Sequence, residues 1–174
     1  RDPSAARMPF DALGLRDENL DRMHHALAQN QGLVVASGPS GSGKLVTAYS
    51  MLNHVNTRHL KLITIEDPIE LTLANAIQLA VDERADLDYR TLIRSALASN
   101  PDVMFVKFIR QPETLLETID CSLSKLTVTT MQCADAVAGL LTMQEWGARG
   151  LLLGEAVKLM SSQRLSRRLC PECM

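Results

Sequence analysis

The sequence predicts an α/β domain with a mostly parallel sheet covered by helices on both faces. Three observations predict it. Short apolar runs rich in β-branched residues alternate with stretches of helical periodicity. The first run feeds a glycine-rich loop and then a helix, the local order of a phosphate-binding unit. At 174 residues, 46% of them hydrophobic, the chain is long enough for one such core and short for two.

The elements follow in order. Residues 19–29 carry leucine, methionine and alanine at helical spacing. Leu33-Val-Val-Ala-Ser37 is short and apolar enough for a buried strand, and residues 45–55 return to helical spacing. Leu60-Lys-Leu-Ile-Thr-Ile65 reads as a strand that stops at Glu66-Asp67-Pro68, because proline ends regular pairing. Residues 77–81 alternate as a short strand. Residues 89–99 form a helix with Leu92, Ile93, Ala96 and Leu97 on one face, broken by Asn100-Pro-Asp102. Residues 103–106 are a buried strand, 112–123 a helix begun by proline, and 126–131 a β-branched strand. Helices are expected over 134–145 and 151–159. There is no repeat and no low-complexity segment.

The loop Gly38-Pro39-Ser40-Gly41-Ser42-Gly43-Lys44 is the most informative stretch. Gly38, Gly41 and Gly43 let successive amides point into one concavity around phosphate oxygens, and Lys44 opens a helix whose dipole adds positive character. Ser40 and Ser42 are placed to hydrogen-bond phosphate as well. The bland alternative is a Gly/Ser-rich turn that happens to end in lysine; the flanking strand and helix speak against it. The next residue is Leu45, where the full signature has Ser or Thr to hold the magnesium of a bound triphosphate. Thr47 cannot replace it, since two residues at about 100° each turn it to the opposite side of the helix.

Composition sets ordinary bounds. A net charge of −2 gives no global pull toward nucleic acid or anionic membrane, and no direct nucleic-acid contact is expected. The one basic run, Arg164-Leu-Ser-Arg167-Arg168, reads as a solvated helix end. No apolar stretch approaches the roughly 20 residues of a membrane span, so the chain reads as cytoplasmic. Beginning at Arg1 and ending just after a Cys pair, it reads as a fragment of something longer.

Several motifs recur together and in order: Phe10-Asp-Ala-Leu-Gly-Leu15, Gly32-Leu-Val-Val with the loop through Lys44, Thr64-Ile-Glu-Asp-Pro-Ile-Glu70, Leu92-Ile-Arg-Ser-Ala-Leu97, Asn100-Pro-Asp-Val, Ile109-Arg110, and Gln163-Arg-Leu-Ser-Arg-Arg-Leu-Cys-Pro-Glu-Cys173. In this the chain resembles the RecA-like carboxy-terminal domain of the secretion ATPases, the hexameric motors of type II secretion and type IV pilus assembly. The resemblance covers nearly the whole chain. It implies one RecA-like P-loop NTPase core over residues 1–174, with 1–15 linker-like and 161–174 a basic CxxC segment. It also implies ATP as ligand, a homo- or hetero-hexamer, and partners in a secretion or pilus machine at the cytoplasmic face of a membrane.

Carried over residue by residue, the resemblance places Gly38, Pro39, Ser40, Gly41, Ser42, Gly43, Lys44 and Leu45 at the nucleotide phosphates. It places Glu66, Asp67 and Glu70 in the acidic box, of which Glu66 and Glu70 are the candidate catalytic carboxylates. Arg94 and Arg110 match family arginines that contact phosphate or a neighbouring subunit. Three departures stand out. Leu45 replaces the Ser/Thr of the loop. The Walker B region, normally Asp-Pro-Asp, a strand and Gly-Glu-Ile-Arg-Asp, reads Asn100-Pro-Asp102, the strand, then Lys107-Phe108-Ile109-Arg110-Gln111, so its glutamate is missing. The histidine box reads Thr130-Met131-Gln132-Cys133 and lacks its histidine. Asp102 cannot stand in for the glutamate, since six strand residues put it roughly 20 Å from position 108. Losing one charge-stabilising or water-orienting group slows such chemistry by orders of magnitude. No metal ligand set is expected, and magnesium lacks its usual loop ligand unless water or backbone replaces it.

Lys107 either reaches solvent or turns toward the phosphate site and supplies charge that magnesium normally brings. The acidic-box glutamates either serve the nucleotide or cap a strand and face water. Cys121 and Cys133 read as small packed residues. Cys170 and Cys173 have the spacing of half a zinc site, with no second pair in the chain. His24, His25, His54 and His59 read as solvent-exposed without a carboxylate partner. Three functions remain open: a nucleotide-binding subunit impaired in hydrolysis, an active motor in which Glu66 or Glu70 takes over catalysis, and an interaction module that has lost nucleotide.

Overall fold

The computed structural model describes residues 8–15 and 17–167. Its centre is a six-stranded sheet in the order β3-β2-β4-β5-β1-β6, with every pairing parallel. The strands are β1 (Gly32–Ser37), β2 (Leu62–Glu66), β3 (Ala76–Ala80), β4 (Val103–Ile109), β5 (Leu126–Met131) and β6 (Val157–Ser162). The helices are α1 (Asp17–Leu27), α2 (Lys44–Val55), α3 (Tyr89–Ala98), α4 (Pro112–Ser122), α5 (Ala136–Glu145) and α6 (Gly150–Ala156). Strands β1, β2 and β5 are buried throughout, as strands covered on both faces are, with Thr64, Glu66, Thr127, Thr129 and Thr130 among the buried residues.

Side-chain alternation along the strands sorts the core into two faces. Val34, Phe105, Val128 and Leu62 point to the side covered by α1 and α2, where they meet Met23, Leu27, Tyr49, Met51 and Leu52. Leu33, Val35 and Met131 point the other way, onto Leu115 and Ile119 of α4, Met143 of α5 and Leu153 of α6. Ile63, Ile65, Met104 and Val106 on that side meet Leu92, Ile93 and Ala96 of α3, the face its periodicity marks.

Helix starts are set by local chemistry. Asp88 accepts from the Thr91 amide at 2.7 Å and Asp135 from the Ala138 amide at 2.8 Å, each capping its helix. Pro112 opens α4 where its missing N–H costs nothing. Asn100, at φ 52°, turns the chain out of α3, and Asp102 then pins the start of β4 by accepting from the Lys61 amide at 2.7 Å. That bond fixes Asp102 at the amino end of the strand, remote from position 108.

Several expectations need correction. The apolar spacing of 151–159 continues past Leu153, but α6 ends at Ala156 and residues 157–162 add β6 to the sheet edge beside β1. Leu159 and Met160 fit either period; the open edge of β1 decides for a strand. Residues 163–167 are consequently not a helix end. β4 runs three residues further than expected, to Ile109, and β2 extends to include Glu66. Within the linker-like segment, Phe10 is buried at 5% exposure against α2, and Ser50 donates to the Met8 carbonyl at 2.8 Å, while Met8 itself is exposed. His24 does have a carboxylate partner, Asp11 at 3.1 Å, and it packs with His54 against Phe10. Residues 1–7 and the stretch with Arg168, Cys170 and Cys173 lie outside the described residues.

Candidate functional site: a phosphate cleft with altered chemistry

The carboxyl ends of β1, β2, β4 and β5 open into one cleft of about 630 Å³, the place where parallel sheets of this kind hold ligands. β1 delivers the glycine loop to it. Gly38, Gly41 and Gly43 all have positive φ, at 147°, 76° and 80°. Gly38 is sterically obligatory as well, because a Cβ there would lie 2.4 Å from the Gln163 carbonyl oxygen and 2.6 Å from Ser42 Oγ. α2 begins behind Gly43 with no side-chain cap, leaving its first-turn amides for an anion. Ser42 Oγ is buried and has no hydrogen-bond partner among the described residues. Lys44 folds back on the loop, its Nζ donating to the Pro39 carbonyl at 3.0 Å, and burial holds its ammonium below the ordinary lysine value, with Cys133 opposing. An orphaned hydroxyl, open helix amides and a lysine bonded only to a loop carbonyl fit a phosphate group.

The three departures are far apart in sequence and meet here. Leu45, Phe108 and Gln132 all line this cleft. Phe108 stacks under Arg110, whose guanidinium carbon lies 4.7 Å from the ring centroid. β4 and β5 lose register between Val106 and Ile109, and the hydroxyls of Thr129 and Thr130 donate to the Val106 and Lys107 carbonyls across the irregularity. The position of the loop ligand is aliphatic, and no cluster of three His, Cys, Asp or Glu side chains suited to a metal occurs among the described residues.

The acidic box divides in two. Glu66 is fully buried and its carboxylate accepts from Thr64 Oγ1 at 2.6 Å, Gln78 Nε2 at 2.9 Å and the Tyr49 hydroxyl. Burial and the Glu66 carboxylate push the Tyr49 phenol well above its ordinary range. Glu66 is absent from the cleft lining, whereas Asp67 and Glu70 line it. Glu70 is not free there: Lys107 Nζ sits 3.0 Å from its carboxylate and also donates to the carbonyls of Asp67, at 3.4 Å, and Pro68. The Lys107 side chain is 8% exposed, so it reaches inward and not to solvent. Beside the box, burial and then Asp67 raise the Tyr89 phenol to about 12.

Residues 1–174 match the family described as "Type II/IV secretion system protein". The chain belongs to the type II/IV secretion system protein family. Among the family's curated members, it is 36% identical over 167 residues to the protein transport protein HofB homolog of Escherichia coli K12, covering 95% of this chain and 36% of that protein. It is 35% identical over 173 residues to the type IV pilus assembly ATPase PilB of Acinetobacter baylyi, covering 99% of this chain and 30% of that one. This chain thus spans about a third of the length of these relatives. The crystal structure of the pilus retraction motor PilT with bound ADP superposes at TM-score 0.76 and 28% identity, over 90% of this chain and 48% of that one. The fold is that of a RecA-like P-loop ATPase.

Of the residues the sequence singles out, Ser40, Gly41, Gly43, Lys44, Leu45, Glu70 and Arg110 line the cleft, while Gly38, Pro39 and Ser42 shape the loop behind its lining. Arg94 does not join them: its guanidinium is held on both sides by Glu117 of α4, Nε to Oε2 at 3.1 Å and Nη2 to Oε1 at 2.5 Å. Sequence reasoning missed Gln163. Its backbone N–H extends the β1–β6 ladder to the Ser37 carbonyl at 3.0 Å, and its side-chain amide donates to the Ser42 carbonyl at 2.8 Å. The motif containing Gln163 was legible, but a clamp on a loop 121 residues earlier has no local signal.

Proposed function

We propose that this chain is an ATP-binding domain of a type II secretion or type IV pilus assembly ATPase-like protein in which hydrolysis is impaired. One observation carries the reading: Leu45, Phe108 and Gln132 line the same cleft as an otherwise complete phosphate loop. A nucleotide there meets amides and cations but lacks the hydroxyl that ligates magnesium and the carboxylate that positions water. Neither acidic-box glutamate is disposed to take over, since Glu66 is spent on three donors and Glu70 on Lys107. The Gly38 to Lys44 loop holds the phosphates, with Arg110 at the rim.

The wider assignment follows from the relatives, which are named for type IV pilus assembly and type II secretion. On that basis the domain sits in a homo- or hetero-hexameric ring on the cytoplasmic face of a membrane machine. No helix among the described residues is long and apolar enough to cross a membrane. Calorimetric titration of the protein with ATP tests the reading. Binding that disappears in Lys44→Ala supports it; no binding, or binding unchanged by that substitution, refutes it.

A further inference from the structure

The charged side chains lining the cleft are Lys44, Lys107, Arg110, Asp67 and Glu70. Three cations face two carboxylates. Within that set, Lys107 is almost entirely withdrawn from water and fixed on three sides, by Glu70 and by the carbonyls of Asp67 and Pro68. A buried ammonium in this setting acts on a nearby phosphate through less water than a surface lysine would, and its Coulombic influence is correspondingly larger. The oxygens a divalent cation would need are few: position 45 offers none, Glu66 already accepts from three donors away from the cleft, Glu70 has a cation beside it, and Asp67 is the carboxylate that remains on the lining.

Resting on the nucleotide-binding reading above, we propose that the cleft takes the phosphates of a nucleotide without a divalent cation. Lys107 supplies fixed positive charge in place of the charge a metal would bring. Glu70 has two effects. It holds Lys107 in the cleft, and it competes with arriving phosphate oxygens for the same ammonium. The ligand is therefore free ATP or ADP, and magnesium, by converting ATP to its metal complex, works against binding.

The test is calorimetric titration of the full-length protein with ATP in EDTA and in excess magnesium, on wild type, Glu70→Gln, Lys107→Met and the double variant. Wild type should bind in EDTA and more weakly as magnesium rises. Glu70→Gln should tighten binding in EDTA. Lys107→Met should weaken it by about tenfold, the scale of a lost charged hydrogen bond. Should the single lysine variant misfold around its unpaired glutamate, the double variant compared with Glu70→Gln reports the same loss. Binding that requires magnesium overturns the metal-free site while leaving nucleotide binding intact. An unchanged affinity in the double variant relative to Glu70→Gln also overturns it. Absence of binding in both buffers overturns this inference together with the reading it rests on.

Discussion

Gln163, the first residue after β6, donates its side-chain amide to the carbonyl of Ser42 at 2.8 Å and so ties the last strand of the sheet to the phosphate loop. The same residue crowds Gly38 with its carbonyl oxygen, which makes the loop conformation dependent on the edge strand being in place. Strand β6 is thus a support of the site as well as an edge of the sheet.

Gln163→Ala should loosen the loop and weaken ATP binding by about fivefold, the equivalent of one neutral hydrogen bond of about 1 kcal/mol. Global stability should change little, because the backbone bond to Ser37 remains. Calorimetry alongside thermal denaturation separates the two effects.

Tyr49→Phe removes one of the three donors to the buried Glu66 carboxylate. A buried charge that loses a partner costs about 1–3 kcal/mol. Urea unfolding should show a lower midpoint with an unchanged slope, since the exposed surface is the same.

Restoring the family's groups together, as Leu45→Thr, Phe108→Glu and Gln132→His, should turn the cleft toward metal. Manganese binding in the presence of ATP, followed by electron paramagnetic resonance, should be absent in wild type and present in the triple variant. Each single restoration should do less than its share, because the three groups act in one site.

Arg94, with Arg90, holds the Glu117 carboxyl below its ordinary value. A carboxylate whose folded pKa lies below its unfolded one stabilises fully above the unfolded value of about 4.3 and loses that contribution as pH falls through the folded pKa. The stability difference between wild type and Glu117→Gln should therefore be flat from neutral pH to about pH 5 and shrink below about pH 4. Urea midpoints measured across that range check it.

Much of the fold was legible because its local signals agree with its tertiary role. The strand β1 is an almost wholly apolar run, β2 and β5 are rich in β-branched residues, and α3 carries its buried stripe at helical spacing with Asp88 as its cap. β6 was misread because Leu159 and Met160 fit a helix as well as a strand, and only the vacant edge of β1 distinguishes them. The phosphate loop and its missing residues were readable one by one. Their meeting in a single cleft was implied by parallel strands ending at one side of the sheet. What sequence could not show was how the acidic box is divided. Whether Glu66 faces nucleotide or Tyr49, and whether Lys107 reaches solvent or Glu70, depends on contacts spanning 17 and 37 residues that no periodicity encodes. Arg94 is a further case: its motif suggested phosphate or a neighbouring subunit, and within the chain it is paired with Glu117 of α4.

On the proposed function, this cleft holds ATP and does not turn it over. Single-turnover release of labelled phosphate from the full-length protein, loaded with ATP at a concentration shown to saturate it, tests that most directly. Bound ATP should stay intact over many minutes, with or without magnesium. Release of phosphate within seconds, abolished by Lys44→Ala, would contradict it and identify an active motor.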